Sequence, residues 1–302
     1  MLRLLTAVCL CCIAAFCAVK LIRYALDARR ARLASDALRE VYYSSDTEPP
    51  SASLVPFPTP MPAPTPTPIS KATAVPAYTP PPDILPAVRY PGNPSAAVSS
   101  RFTRLQRQNA DIIGWLNIPD MLDEAVVQRD NSYYLNRDYR GYHNANGAIF
   151  LDEACQLDAR PYTLILYGHN MKTGAMFGSL RNYENLRYYK NNPFITFDTA
   201  YEDGDYVVFA AAAIDINPDG LRYVDLAALS SLSVETRQAA ITALKTRSIY
   251  QNSLDVQADD QLLLLITCTQ SDNERRVIAA RRIRTDETRE ALSSVIQQTT
   301  KK

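Results

Sequence analysis

The chain has 302 residues, and its 32 basic and 32 acidic side chains give a formal net charge of zero, so there is no bulk electrostatic case for nucleic acid. Its length can hold one large domain or two small ones. Cysteine usage excludes a disulfide framework and a CxxC metal site: Cys9, Cys11, Cys12 and Cys17 sit in an N-terminal apolar run, leaving Cys155 and Cys268 in the remainder. No metal or cofactor is implied, since the acidic residues show no calcium-loop spacing.

Leu4 to Val19 is uncharged, and Leu21-Ile22 extend the run past Lys20, whose long stem can snorkel to an interface. Residues 1–23 read as an uncleaved transmembrane anchor. The run is short for a span, so a cleaved signal peptide is the competing reading, although Phe16 and Val19 interrupt the small-residue cleavage pattern. Lys20, Arg23, Arg29, Arg30 and Arg32 follow the run, and the positive-inside rule alone would put that side in the cytoplasm. Residues 24–43 are charged and helix-prone and are expected to form a juxtamembrane helix. Residues 44–99 hold most of the 20 prolines, with every second residue proline from Pro56 to Pro68. Such a segment favours extended polyproline II and is expected to act as a semi-rigid stalk.

A folded domain is expected over residues 100–302. Arg101 to Asn109 reads as a short helix. Eight short strands follow at Trp115–Ile118, Ala125–Gln128, Ala148–Leu151, Thr163–Tyr167, Phe194–Phe197, Tyr206–Ile214, Leu262–Cys268 and Val277–Ile283, which argues a β-barrel or sandwich. One helix interrupts them, with Ser233 as its cap and Ala239, Ala240, Ala243 and Leu244 at helical spacing. Asp286 to Gln298 reads as a closing helix.

The aliphatic run Leu262–Ile266 is a buried strand that ends in Thr267-Cys268, and Arg276 opens the next strand. A strand-end thiol and a permanent cation therefore lie at one end. His169, one of two histidines, also follows an aliphatic strand. A thiol attacks as the thiolate, an imidazole can carry the proton, and an arginine can hold a developing oxyanion but cannot act as a base. The trio suits acyl transfer from an amide. Taken singly, each has an ordinary structural reading: a packed cysteine, a structural histidine, a solvated arginine. No acidic residue is clearly placed to orient His169. Arg275 rivals Arg276, and a Cys155–Cys268 disulfide would block the thiol.

At these residues the chain resembles a known family. Tyr167-Gly168-His169-Asn170-Met171-Lys172-Thr173-Gly174-Ala175-Met176-Phe177 is similar to the YGHNMxxGxMF segment of class B sortases, and Leu264-Leu265-Ile266-Thr267-Cys268 to their TLSTC strand. Arg276-Val277-Ile278, Asn109–Leu116 and Asp130–Leu135 match further segments, so the resemblance spans residues 100 to 285. It implies an eight-stranded sortase β-barrel with an N-terminal helix, the helix after Ser233 being the class B insertion before the cysteine strand. It implies a single-pass membrane protein with its catalytic domain on the extracellular side, against the charge count.

The implied activity is a cysteine transpeptidase. Cys268 attacks a C-terminal sorting motif of a surface protein or pilin, His169 protonates the leaving amine, and an amine of a cell-wall precursor or pilin resolves the thioester. Arg276 orients the motif. Asn131 and Leu135 match substrate-groove positions, and Tyr167, Ile266 and Thr267 flank the site. A non-catalytic wall-spanning scaffold and a cysteine endopeptidase without transfer are the alternatives. Ile266 stands where the family usually has serine, and Arg281 where it often has glycine, which bears on motif preference. The proline usual before Val126-Val127-Gln128 is missing.

Overall fold

Among the described residues ten strands follow in chain order, most of them built on aliphatic runs: β1 (Ile112–Ile118), β2 (Leu122–Val127), β3 (Ile149–Leu151), β4 (Thr163–Tyr167), β5 (Phe194–Thr199), β6 (Asp205–Asp215), β7 (Tyr250–Gln251), β8 (Leu262–Cys268), β9 (Glu274–Arg282) and β10 (Thr300–Lys301). The structure is a computed structural model that describes residues 2–44, 83–269 and 273–302, and for residues 2–9, 21, 23, 24, 27, 28, 31 and 268 the backbone alone. Eight strands close into a barrel in the order β1-β2-β3-β4-β8-β9-β6-β5, while β7 and β10 pair separately. The expected eight-stranded barrel is therefore present, and β4 and β8 have the expected bounds.

Two barrel pairings are parallel, β2 with β3 and β4 with β8. β8 is buried on both faces, which is why it reads as an unbroken aliphatic run. Leu116, Val126, Ile149, Leu166, Leu265 and Ile278 belong to the main core. Trp115, Val127 and Phe150 form a second cluster on the outer face of β1–β3.

Helix α1 (Leu2–Tyr43) runs without a break across the regions expected as anchor and juxtamembrane helix. Among the described residues no helix is long and apolar enough to cross a membrane, and the side chains of the expected anchor up to Cys9 lie outside them. The last turns of α1 bury Ala34, Ser35, Leu38 and Tyr42, which share one helical face. Tyr42 stacks on Trp115 with centroids 4.2 Å apart, and its hydroxyl donates to Asp198. Arg39 pairs with Asp123 at 2.6 Å. α2 (Ser100–Gln106), capped by Ser99, completes this outer layer.

Most of the segment expected as stalk, residues 45–82, lies outside the described residues. Residues 83–99 pack on the barrel. The Leu85 amide donates to the Leu232 carbonyl at 2.8 Å, Tyr162 donates to the Pro86 carbonyl at 2.6 Å, and Leu85 and Tyr90 are buried. At the other end, Arg104 donates to the Ser44 carbonyl at 3.0 Å. Ser44 and residues 83–99, the described residues on either side of that segment, both contact the domain.

α3 (Leu186–Asn191) lies between β4 and β5, and α4 (Val234–Arg247) between β6 and β8, capped by Ser233 as the sequence predicts. Arg237 of α4 is fully buried and donates to the carbonyls of Ala258, Tyr162 and Asp260 and to the Thr163 hydroxyl, at 2.6 to 2.8 Å. Burial pulls its guanidinium down to about 10. This fixes the inserted helix to the starts of β4 and β8. α5 (Arg289–Gln297), capped by Thr288, closes the fold.

Candidate active site

The site is built by register. β4 and β8 run parallel, with Thr163 opposite Leu262 and Tyr167 opposite Ile266. His169 and Cys268 each lie two residues beyond the last of these pairs, and the Gly168 amide still donates to the Ile266 carbonyl at 3.3 Å. The two residues therefore stand at the same end of adjoining strands. β9 runs antiparallel to β8, with Thr267 opposite Arg276 and Cys268 opposite Arg275. His169, Thr267, Cys268, Arg275 and Arg276 therefore stand at one rim of the barrel.

The histidine loop is tightly specified. The His169 carbonyl accepts from the amides of Met171 and Phe177, both at 3.0 Å, which folds the loop back on itself. A side chain on Gly168 would meet the Phe177 ring at 2.9 Å, so the motif glycine permits the close approach. His169 is partly exposed. Its Nε2 lies 2.5 Å from the Leu135 carbonyl, and because a carbonyl oxygen only accepts, Nε2 is the donor in that bond. The missing orienting group is a backbone carbonyl, invisible to a search for acidic side chains. Leu135, expected in a substrate groove, has a 43 % exposed side chain and contributes this carbonyl as well.

Tyr167 and Asn131 share a partner that the sequence does not single out. The Tyr167 hydroxyl donates to Asp152 at 2.9 Å, the Asn131 amide group donates to the same carboxylate oxygen at 3.2 Å, and the Asn131 Oδ1 accepts from the Glu153 amide at 3.0 Å. Burial first, and then Asp152, raise the Tyr167 phenol well above its ordinary range, while Arg275 pulls it the other way. Ile266 and Thr267 are 2 % and 3 % exposed. The Thr267 hydroxyl has no hydrogen-bond partner among the described residues. Ile266 lies between Tyr167 and Val277, so an influence on substrate would act through their packing.

Arg276 donates through Nε and Nη2 to one oxygen of Glu184, at 3.0 and 2.5 Å. Glu184 ends the 3-10 helix Phe177–Glu184, which continues the histidine loop, so this link ties His169 and Arg276 into one unit. Arg281 stands elsewhere. It pairs with Leu262 at the opposite end of the β8–β9 ladder, is fully buried, and binds Glu287 at 2.6 Å. The expectation that Arg281 bears on motif preference is corrected by that placement: its charge holds the far rim together. Cys155 is a free buried thiol that donates to the Thr163 carbonyl at 3.4 Å, and burial pushes it up to about 11. It is neither a nucleophile near neutral pH nor a disulfide partner for Cys268.

The sortase domain family model matches residues 116–283, more than half of the chain. The chain belongs to the sortase family. Sortase B of Listeria monocytogenes is 28% identical over 186 residues, covering 61% of this chain and 73% of that protein. A sortase B-like protein of Bacillus anthracis, known from a crystal structure, is 30% identical with a TM-score of 0.55 and covers 62% of this chain and 85% of its own. A sortase B–substrate complex of Staphylococcus aureus is 27% identical with a TM-score of 0.55, covering 63% of this chain and 88% of its own. The protein is thus a cysteine transpeptidase, a sortase like the sortase B proteins, and the barrel rim with Cys268 and His169 is where its chemistry is sought.

Proposed function

We propose that this sortase is held in the membrane by the apolar start of α1, with its barrel outside the cell, and joins surface proteins or pilins to an amine. Cys268 is the nucleophile, His169 the proton carrier and Arg276 the clamp on the substrate carbonyl. The observation that carries this reading is the shared register of β4 and β8, which brings His169 and Cys268 to adjoining strand ends. The thiolate attacks the carbonyl of a sorting-motif peptide bond, giving a tetrahedral oxyanion beside a permanent cation. The C–N bond breaks as His169 gives its proton to the leaving amine. A second amine passes its proton to His169 and attacks the thioester, the C–S bond breaks, and the thiolate is restored. The amine comes from a cell-wall precursor or a pilin lysine. Asn131, Leu135, Tyr167, Ile266 and Thr267 line or support the groove for the motif.

The test uses the full chain in detergent with a library of sorting-motif peptides and an added amine, followed by mass spectrometry. A thioacyl adduct and an aminolysis product are expected, both abolished in Cys268→Ala. Arg276→Ala is expected to lower kcat/KM by about 10²-fold or more, as for loss of an oxyanion donor, with Arg275→Ala much milder. An adduct that persists in Cys268→Ala would sink the assignment. Hydrolysis alone with every amine tried would favour a peptidase.

A further inference from the structure

Asp152 has no part in the chemistry above, yet it is bonded to both Tyr167 and Asn131. It directly follows β3, whose last pair sets Leu151 opposite Leu166, and its amide continues that ladder to the Ile165 carbonyl at 2.9 Å. The same register places Phe150 opposite Tyr167, and their rings pack with centroids 5.4 Å apart. The Tyr167 hydroxyl then reaches Asp152, two residues further along the chain from Phe150. The turn that carries the carboxylate is itself pinned. Gln128 donates through Nε2 to the carbonyls of Asp152 and Cys155, at 2.9 and 2.8 Å. The Ala154 amide donates to Asp152 Oδ1 at 2.8 Å, while Oδ2 accepts from Tyr167 and Asn131.

That carboxylate fixes two hydrogen-bond directions. A carboxylate has no hydrogen to give. The Tyr167 hydroxyl must therefore direct its proton at Oδ2, which leaves the phenol oxygen as an acceptor. Burial, and then Asp152, hold the phenol well above its ordinary range, so that proton stays in place. Asn131 is held at both ends of its amide group, since Nδ2 donates to Asp152 and Oδ1 accepts from the Glu153 amide. A flipped amide would set oxygen against oxygen and N–H against N–H, so one orientation survives. One Nδ2 hydrogen is left over. Two side chains that could otherwise rotate or flip thus become one donor and one acceptor of set direction. Tyr167 stands two residues before His169, and opposite Ile266, two residues before Cys268.

We propose that Asp152 is a positioning residue for the sorting motif, acting through Asn131 and Tyr167 and not by touching the peptide. The proposal rests on the reading that Asn131 and Tyr167 belong to the motif groove, and adds what orients them. Both groups are already ordered in the folded chain, so the peptide does not have to order them as it binds. The benefit falls on capture of the peptide, and the step between thiol and imidazole is left as it is.

The experiment follows thioacyl formation in the full chain in detergent, against increasing amounts of the library peptide that gives the most adduct. Each variant yields a half-saturating peptide concentration and a limiting rate. Asp152→Ala is expected to raise the half-saturating concentration about tenfold, as for two misdirected hydrogen bonds, with the limiting rate within about twofold of wild type. In an Asn131→Ala/Tyr167→Phe background the same substitution is expected to move neither quantity by more than about twofold, because both groups it acts through are gone. Asp152→Asn keeps the shape and one acceptor oxygen, so it threatens the fold less. It is expected to show a smaller rise in the same direction, and it carries the same comparison in both backgrounds. Half-saturation unchanged in both single variants overturns the proposal. So does a rise that persists undiminished in the Asn131→Ala/Tyr167→Phe background, or a loss confined to the limiting rate. Wild-type half-saturation in Asn131→Ala/Tyr167→Phe itself overturns the groove reading beneath it.

Discussion

Glu124 carries a carboxyl that its surroundings disfavour. Burial raises it above the ordinary range, with the Ser35 hydroxyl and Arg39 opposing that shift. A carboxyl raised in the folded state contributes stability that is fully present below its unfolded value and is lost as pH rises through the folded value. Glu124→Gln removes this titration and keeps an acceptor for Ser35. The variant is therefore expected to melt higher than wild type at pH 7, and its advantage is expected to shrink towards pH 4. Equal differences at both pH values would refute the account. At this scale the motif residues His169, Cys268 and Arg276 were legible in the sequence. The Glu184 that pairs with Arg276, the Leu135 carbonyl on His169 and the Asp152 shared by Tyr167 and Asn131 were not, because each comes from a separate element and only closure of the barrel rim brings it near.

At the scale of elements, the end of α1 is a working part of the outer layer. Tyr42 is 6 % exposed and covers the face of Trp115, the chain's sole tryptophan. Tyr42→Ala is expected to cost about 3 kcal/mol, as for other buried aromatic truncations. It should also red-shift the tryptophan emission, because the indole loses its stacked cover. Unchanged emission and an unchanged denaturation midpoint would show that α1 does not dock. Residues 24–43 lie within the helix α1, and the charged surface of that stretch hid its spaced apolar face of Ala34, Leu38 and Tyr42. Strand starts lie a few residues upstream of the expected ones where the ladder continues, through Ile112–Gly114 of β1 and the polar Glu274–Arg276 of β9. β4 and β8, whose aliphatic runs are buried throughout, needed no such adjustment.

For the whole molecule, the described residues of 34–44 and 83–99 belong to the packed domain. A chain of residues 100–302 alone lacks the buried Leu38, Tyr42, Leu85 and Tyr90. At about 2 kcal/mol for each buried side chain and about 3 °C per kcal/mol for a domain of this size, its melting temperature is expected to fall by on the order of 20 °C relative to the full chain. Thermal melting of both proteins followed by circular dichroism makes the comparison, and matching temperatures would show that the N-terminal segments contribute no stability.

By itself the sequence determined the local facts: which runs are strands, where Ser233 caps a helix, and which thiol and imidazole end aliphatic strands in a motif order shared with sortases. Those signals are written in neighbouring residues, where periodicity, capping and strand termination operate. Only the tertiary structure decided that β4 and β8 lie parallel and in register, that Arg281 sits at the far rim, and that Ser44 and residues 83–99 contact the domain. Each of these depends on contacts between residues far apart in the chain, and such contacts are set by closure of the barrel and by what packs against its outer face.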